Sequence, residues 1–272
     1  DSGLVGWGEI CLTGPLPQVE HAGSIRADLD LLGPALVEAD PRRIGLVHDL
    51  MAATMDGGQG ARSAVDIACW DLLGKFHNTR VCDLLGGARM DPVSTYHVVP
   101  IGTPEASAQL AEELQDEGHT KLQLKSGGRH IDEDIAAIHA VARVIRSGVD
   151  LFVDCNRGWT VSEAIQISGA CRDLKLAIEQ PCASYAECVT ARPHLHHPLI
   201  LDESATDLAT IARAIATGVA DGFGMKLTRI GGISGMRAVR DLCQASHTPT
   251  SCDDSWGGDI IAAACVHVGA TL

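Results

Sequence analysis

The chain has 272 residues, a formal net charge of −14 and 46% hydrophobic residues. That length predicts one large or two modest domains with a substantial core, and the acidity excludes the basic footprint that a nucleic-acid partner requires. No apolar run approaches the roughly 18–20 residues of a membrane-crossing helix, so no membrane partner is expected either.

Ten cysteines form no CxxC pair, and several, such as Cys69 and Cys265, sit inside apolar runs. They read as buried thiols of a reducing compartment, which predicts a cytoplasmic protein. The chain begins at Asp1 without methionine and stops at Leu272, which reads as a fragment of a longer protein.

Residues 1–90 read as an α+β capping domain. A strand over 3–9 leads into a Gly/Pro-containing loop, and the stretch from Cys11 to His21 is expected to form part of a lid stiffened by its prolines. Helices are predicted over 21–39, 43–55 and 61–77, the last from apolar residues at helical spacing. Gly57-Gly58-Gln59-Gly60 precedes no Lys-Ser/Thr pair and is a connector, not a phosphate loop. The segment Leu84-Leu85-Gly86-Gly87 closes the unit with turn residues.

Residues 91–272 change texture. Strands are predicted over 93–99, 120–125, 150–154, 175–179, 198–202, 222–226 and 248–252, and an eighth from about Gly269. Helices such as 132–146, 161–173, 206–217 and 232–246 lie between them. Strands alternating with helices at this spacing define parallel βαβ units. Their number predicts an α/β fold, a (β/α)-barrel of the TIM type left incomplete in this fragment. A Rossmann-like sheet is the competing fold, but no GxGxxG follows a strand.

The last residues of successive strands carry the chemistry. They are Lys125, Asp154, Glu179, Asp202 and Lys226, and the seventh strand runs into Asp253-Asp254. In a barrel all of these tips meet at the carboxyl-terminal rim. Three carboxylates are hard oxygen ligands suited to Mg²⁺. The chain has only five lysines, and two of them flank that trio; a lysine beside a cation loses proton affinity and can act as a base. Together the parts suit removal of a proton α to a carboxylate, with one divalent cation stabilising the enolate charge. Gln123 shares a strand face with Lys125 by the period-two alternation. Of Asp253 and Asp254, one is expected to orient a lysine or the substrate and the other to cap the next helix. Trp256 either offers its ring to a quaternary ammonium or packs beneath the rim.

Two groups are set aside. His194, His196 and His197 lack a carboxylate or cysteine at zinc-ligand spacing and read as a surface loop. Ser63 and Ser204 lack a histidine partner for nucleophilic catalysis.

The motifs Lys121-Leu-Gln-Leu-Lys125, Val153-Asp154-Cys-Asn156, Ile178-Glu179-Gln-Pro181, Leu201-Asp202-Glu203-Ser204 and Lys226-Leu-Thr-Arg-Ile-Gly-Gly232 resemble, as an ordered set, the enolase superfamily. More narrowly they are similar to its mandelate racemase/muconate lactonizing group, and Ala61 to Gly74 looks like the helix signature of that group's capping domain. The segments 222–232 and 251–260 are most similar to epimerases of hydroxyproline betaine.

The resemblance implies Mg²⁺ on Asp154, Glu179 and Asp202, and Lys125 and Lys226 as the two acid/base groups. It also implies a homo-oligomer and a small-molecule carboxylate substrate. Gln123, Asn156, Asp253, Asp254 and Trp256 are the expected substrate contacts. Where many relatives carry a lysine pair on the second strand, Gln123 replaces the first lysine.

The expected reaction is 1,1-proton transfer, a racemase or epimerase acting on a proline betaine or related amino acid. The alternative is a dehydratase of a hydroxyproline or sugar acid on the same scaffold, and a catalytically inactive binding module is the third reading.

Overall fold

In the computed structural model, residues 3–12, 20–254 and 256–272 are described. The chain divides into two compact units. One comprises residues 94–205 and 210–224, and the other 1–93, 206–209 and 225–272.

The first unit alternates strand and helix in chain order. The strands are β1 (His97–Val99), β2 (Lys121–Lys125), β3 (Asp150–Asp154), β4 (Ala177–Glu179), β5 (Leu199–Leu201) and the start of β6 (Gly222–Lys226). Between them run α5 (Pro104–Asp116), α6 (Ile131–Val144), α7 (Val161–Ala170), α8 (Tyr185–Ala191) and α9 (Leu208–Ala216). All neighbouring pairs from β1 to β6 are parallel. The sheet order simply follows the sequence through to β7 (Thr250–Asp253). This is the topology of a barrel wall, with each crossover helix returning the chain to the next strand.

The helices begin where their sequences say they must. Thr103 caps α5 by accepting from the Ala106 amide, and Pro104 takes a position whose N–H needs no partner. Capping boxes Thr160/Glu163 and Ser184/Glu187 open α7 and α8. The strands bury one apolar face, where register and alternation place Leu122, Leu124, Val153, Ile178, Leu199 and Leu201 on the same side, and they set Gln123, Asp154 and Glu179 on the other.

The second unit packs α1 (Ala22–Leu36), α2 (Ile44–Thr54), α3 (Gln59–His77) and the short α4 (Val81–Leu84). Ile25, Leu32, Val47, Met51, Ala61 and Cys69 form its core. The same unit holds α10 (Ile233–Ala245), β7 and α11 (Asp259–Gly269).

Three expectations change. Residues 3–9 form no strand. Instead Gly6 and Gly8 press so closely on α3 that a Cβ would fall 2.2 Å from the Ala68 carbonyl and 1.8 Å from that of Ala64. The segment's polar groups go to helix side chains: Trp7 N–H donates to Asp71 Oδ2 at 2.8 Å, and Lys75 Nζ donates to the Val5 carbonyl at 2.8 Å. The eighth strand is also absent, because Gly269 is the last residue of α11 and the Ala270 amide still bonds back to Val266 at 2.8 Å. His197 is no surface residue. It is buried, with Nδ1 beside Ser168 Oγ at 3.0 Å and Nε2 beside the Cys171 carbonyl at 3.0 Å. The expected lid from Cys11 to His21 falls mostly on residues 13–19, outside the described residues.

Among the described residues, no helix is long and apolar enough to cross a membrane, and all ten cysteines carry unbridged thiols.

Candidate active site

The parallel register builds the site one strand at a time. Lys125 lies opposite Asp154, and Asp154 opposite Glu179, as Cα partners on adjacent strands. Glu179 then pairs with Ile200 on β5, two residues before Asp202. These four side chains therefore stand along the carboxyl-terminal edge of one sheet, where successive strand ends converge.

All three carboxylates are withdrawn from solvent, with exposures of 1% for Asp154, 5% for Glu179 and 2% for Asp202. Buried carboxylates demand compensation, and the structure shows much of it. Lys125 Nζ donates to Asp154 Oδ2 at 2.5 Å and to Asn156 Oδ1 at 3.1 Å. The other Asp154 oxygen accepts from the Asn156 amide at 3.0 Å. Asn156 reaches onward, donating through Nδ2 to Glu203 Oε1 at 3.2 Å. Its backbone takes the left-handed conformation, φ 42°, which asparagine tolerates better than most residues.

Gln123, 5% exposed, donates through Nε2 to Glu179 Oε2 at 2.8 Å. The second Glu179 oxygen lies over Gly224, where a Cβ would come within 2.4 Å of it. Only glycine leaves that carboxylate its room. Burial, reinforced by the charges of Asp202 and Asp154, raises the Glu203 carboxyl above its ordinary range, against the opposing bonds from its own backbone and Asn156. Cys155 is inert by the same physics: burial and then the neighbouring Asp154 charge push its thiol well up.

Gln180 is a structural member of this edge whose role the sequence does not disclose. It is fully buried, in the left-handed region at φ 35°. Its Oε1 accepts from the Asp202 amide at 3.1 Å and the Ser204 amide at 3.0 Å. Its Nε2 donates to Ser204 Oγ at 2.7 Å and to the Cys182 carbonyl at 3.0 Å. One side chain thus ties the turn after β4 to the end of β5 and sets where Asp202 begins. Asp134 has a comparable role in the neighbouring loops. Fully buried, it accepts from the Gly127 amide, Arg129 Nε and Trp159 Nε1 at 2.9, 2.6 and 2.7 Å. Those bonds pin the loops that follow β2 and β3. Both residues look like ordinary polar positions in sequence, because their partners are far away along the chain.

The remaining candidates belong to the other unit. Lys226 Nζ donates to Asp253 Oδ2 at 2.8 Å, so Asp253 orients the lysine. Asp254 accepts from the Thr228 amide at 2.8 Å and from Thr228 Oγ1 at 2.9 Å, and so fastens the loop after β6. The cap of α11 comes from elsewhere: Glu9 accepts from the Gly258 and Ile261 amides at 2.9 and 3.0 Å. Trp256 is 65% exposed, which removes the reading that it is packed beneath the rim.

Among the described residues, no group of three His, Cys, Asp or Glu side chains forms a cluster that could hold a metal ion, and the Asp154 and Glu179 carboxylates are turned onto Lys125 and Gln123. The donor set itself fits a hard cation. It consists of three buried carboxylates on consecutive parallel strands, with Glu179 given clearance by Gly224.

A strand-end array of buried carboxylates and a lysine on a parallel α/β wall defines a barrel enzyme of the acid/base class. Residues 106–272 match the enolase C-terminal domain-like family, and residues 1–86 match the mandelate racemase/muconate lactonizing enzyme N-terminal domain. The chain belongs to the mandelate racemase/muconate lactonizing group of the enolase superfamily, a family of enzymes that includes racemases, epimerases and dehydratases.

Among its relatives is the cis-3-hydroxy-L-proline dehydratase of Roseibium aggregatum, 39% identical over 98% of this chain and 73% of that protein. The N-succinyl-L-Arg/Lys racemase of Bacillus cereus is 30% identical over 86% of this chain and 64% of that protein. A solved enolase-superfamily member from Roseovarius nubinhibens, complexed with magnesium, superposes with a TM-score of 0.95 at 30% identity. It covers all of this chain and 74% of that one. The chain thus spans between about two thirds and three quarters of the length of these relatives.

Proposed function

We propose that the protein removes the proton α to the carboxylate of a hydroxyproline and expels the β-hydroxyl as water. The observation that carries the proton-transfer step is the placement of Lys125. Its amine stands at the strand-end edge, held by Asp154 Oδ2 and Asn156 Oδ1, where it can meet a carbon acid. The choice of dehydration and of hydroxyproline is supported by the 39% identity to the Roseibium dehydratase.

In this reading Lys125 Nζ takes the α-proton as base. The C–H electron pair becomes the Cα–Cβ double bond, and the hydroxyl leaves Cβ with a proton from Lys226, whose ammonium is oriented by Asp253. The resulting enamine tautomerises to an imine. Asp154, Glu179 and Asp202 would hold one Mg²⁺. When bound, that ion supplies Lewis-acid stabilisation of the charge developing on the substrate carboxylate, worth several kcal/mol.

A second reading, 1,1-proton transfer, is favoured by the presence of two lysines on separate strand ends and by the racemases and epimerases among the relatives. Incubation of the Mg²⁺-loaded protein with hydroxyproline isomers in heavy water separates the two. Dehydration gives an imine with loss of water. Epimerisation gives the inverted stereoisomer with one deuterium at Cα. No exchange and no loss of water with any isomer would end both readings.

A further inference from the structure

Gln123 is the residue of the site with an unmet demand. Its Nε2 is committed to Glu179, while its Oε1 is buried without a hydrogen-bond partner among the described residues. A buried amide oxygen left in that state costs about 1–3 kcal/mol, and native proteins rarely keep one without a use for it. The orientation of the amide is dictated, since the Glu179 carboxylate can only accept and so must face the NH₂ end. The unpartnered oxygen, on the strand face that Gln123 shares with Lys125, is therefore an obligate acceptor.

Its electrostatic setting is equally specific. A neutral amide stands against the buried Glu179 carboxylate, where a lysine would have added a positive charge. A substrate that brings its own cation suits this surrounding better than a plain anion. Among cations, an obligate acceptor favours one that still carries N–H.

We propose that Gln123 is a specificity-determining residue, whose Oε1 accepts a hydrogen bond from the N–H of a secondary ring ammonium. The site accordingly takes free proline-type amino acids over their fully N-methylated betaines. This rests on the proposed proline-type substrate, but it is testable by binding alone.

The experiment measures calorimetric binding of L-proline, N-methyl-L-proline and N,N-dimethyl-L-proline to the Mg²⁺-loaded protein. Wild type is expected to bind proline about tenfold to a hundredfold more tightly than the dimethyl form, the range for one charge-assisted hydrogen bond. Gln123→Lys keeps a donor for Glu179 and removes the acceptor, so the ratio of the proline and dimethylproline affinities should collapse, even though the added ammonium weakens Mg²⁺ binding. Gln123→Met should lose the preference and also weaken Mg²⁺ binding.

Equal binding of the three ligands by wild type, or binding of none, overturns the proposal. So does full retention of the preference in Gln123→Lys, which would assign the discrimination to steric exclusion of the methyl groups. If the preference behaves as expected while heavy water gives no α-exchange, the catalytic reading fails and the binding role of Gln123 stands.

Discussion

Lys125 and Asp154 form an ion pair in which one partner is almost fully buried. Removing the ammonium leaves a carboxylate whose charge has lost its main compensation. Lys125→Met is therefore expected to lower the melting temperature of the metal-free protein and to enlarge the stabilisation produced by added Mg²⁺, because the ion no longer displaces an amine from Asp154. Thermal melts with and without Mg²⁺ check this, and α-proton exchange in the same variant should vanish. An unchanged Mg²⁺ response would argue that Asp154 is no ligand.

Gln180 offers a second test at this scale. Gln180→Ala leaves the Asp202 and Ser204 amides and the Cys182 carbonyl without their partner. A loss of about 1–3 kcal/mol in urea unfolding is expected, as for other orphaned buried groups. A weaker Mg²⁺ titration should accompany it if Asp202 is a ligand placed by this side chain.

At the scale of elements, the helices of the barrel wall are mostly self-announcing, whereas α11 is capped from a distance. Glu9 accepts from two amides at the start of α11. Its negative charge also sits at the positive end of the helix dipole. The approach is so close that a Cβ on Gly258 would lie 2.7 Å from Glu9 Oε1. Glu9→Gln should cost about 1 kcal/mol, read in urea unfolding, with faster hydrogen exchange at the Ile261 amide. Slow exchange retained there would show that packing, not the cap, holds the first turn.

Element boundaries tell the same story. The strands expected over 150–154 and 222–226 coincide with β3 and β6, because each is a short, largely apolar run set between helical segments at βα spacing. The strand expected over 3–9 does not form. The short run of Leu4, Val5 and Trp7 reads as a strand, but Gly6 and Gly8 serve contact with α3 instead of a ladder, and the local sequence cannot tell the two apart.

At the scale of the molecule, His197 makes stability depend on pH. Burial depresses its pKa below the ordinary histidine value, despite opposing bonds to the Cys171 and Leu174 backbone. The unfolded chain therefore binds a proton more readily than the folded one, so stability is full above the unfolded pKa of about 6.5 and declines as pH falls through and below it. Urea midpoints should drop from pH 7 to pH 5 in wild type, and His197→Gln should show a shallower decline over that interval. Parallel declines would mean that other groups carry the acid sensitivity.

The order of the strand-end residues, and with it the family, was legible from the chain because a repeating βα unit returns the sequence to the same rim at regular intervals. Lys125, Asp154, Glu179 and Asp202 could be nominated without coordinates for that reason. What only the tertiary structure decided is how those groups are held. It turned Gln123 onto Glu179 and set Gln180 between two strand ends, and it gave Asp253 to Lys226 and Asp254 to Thr228. Such partnerships join residues tens of positions apart, where local spacing carries no information, and they depend on register, rotamer and burial, which exist only once the chain has folded.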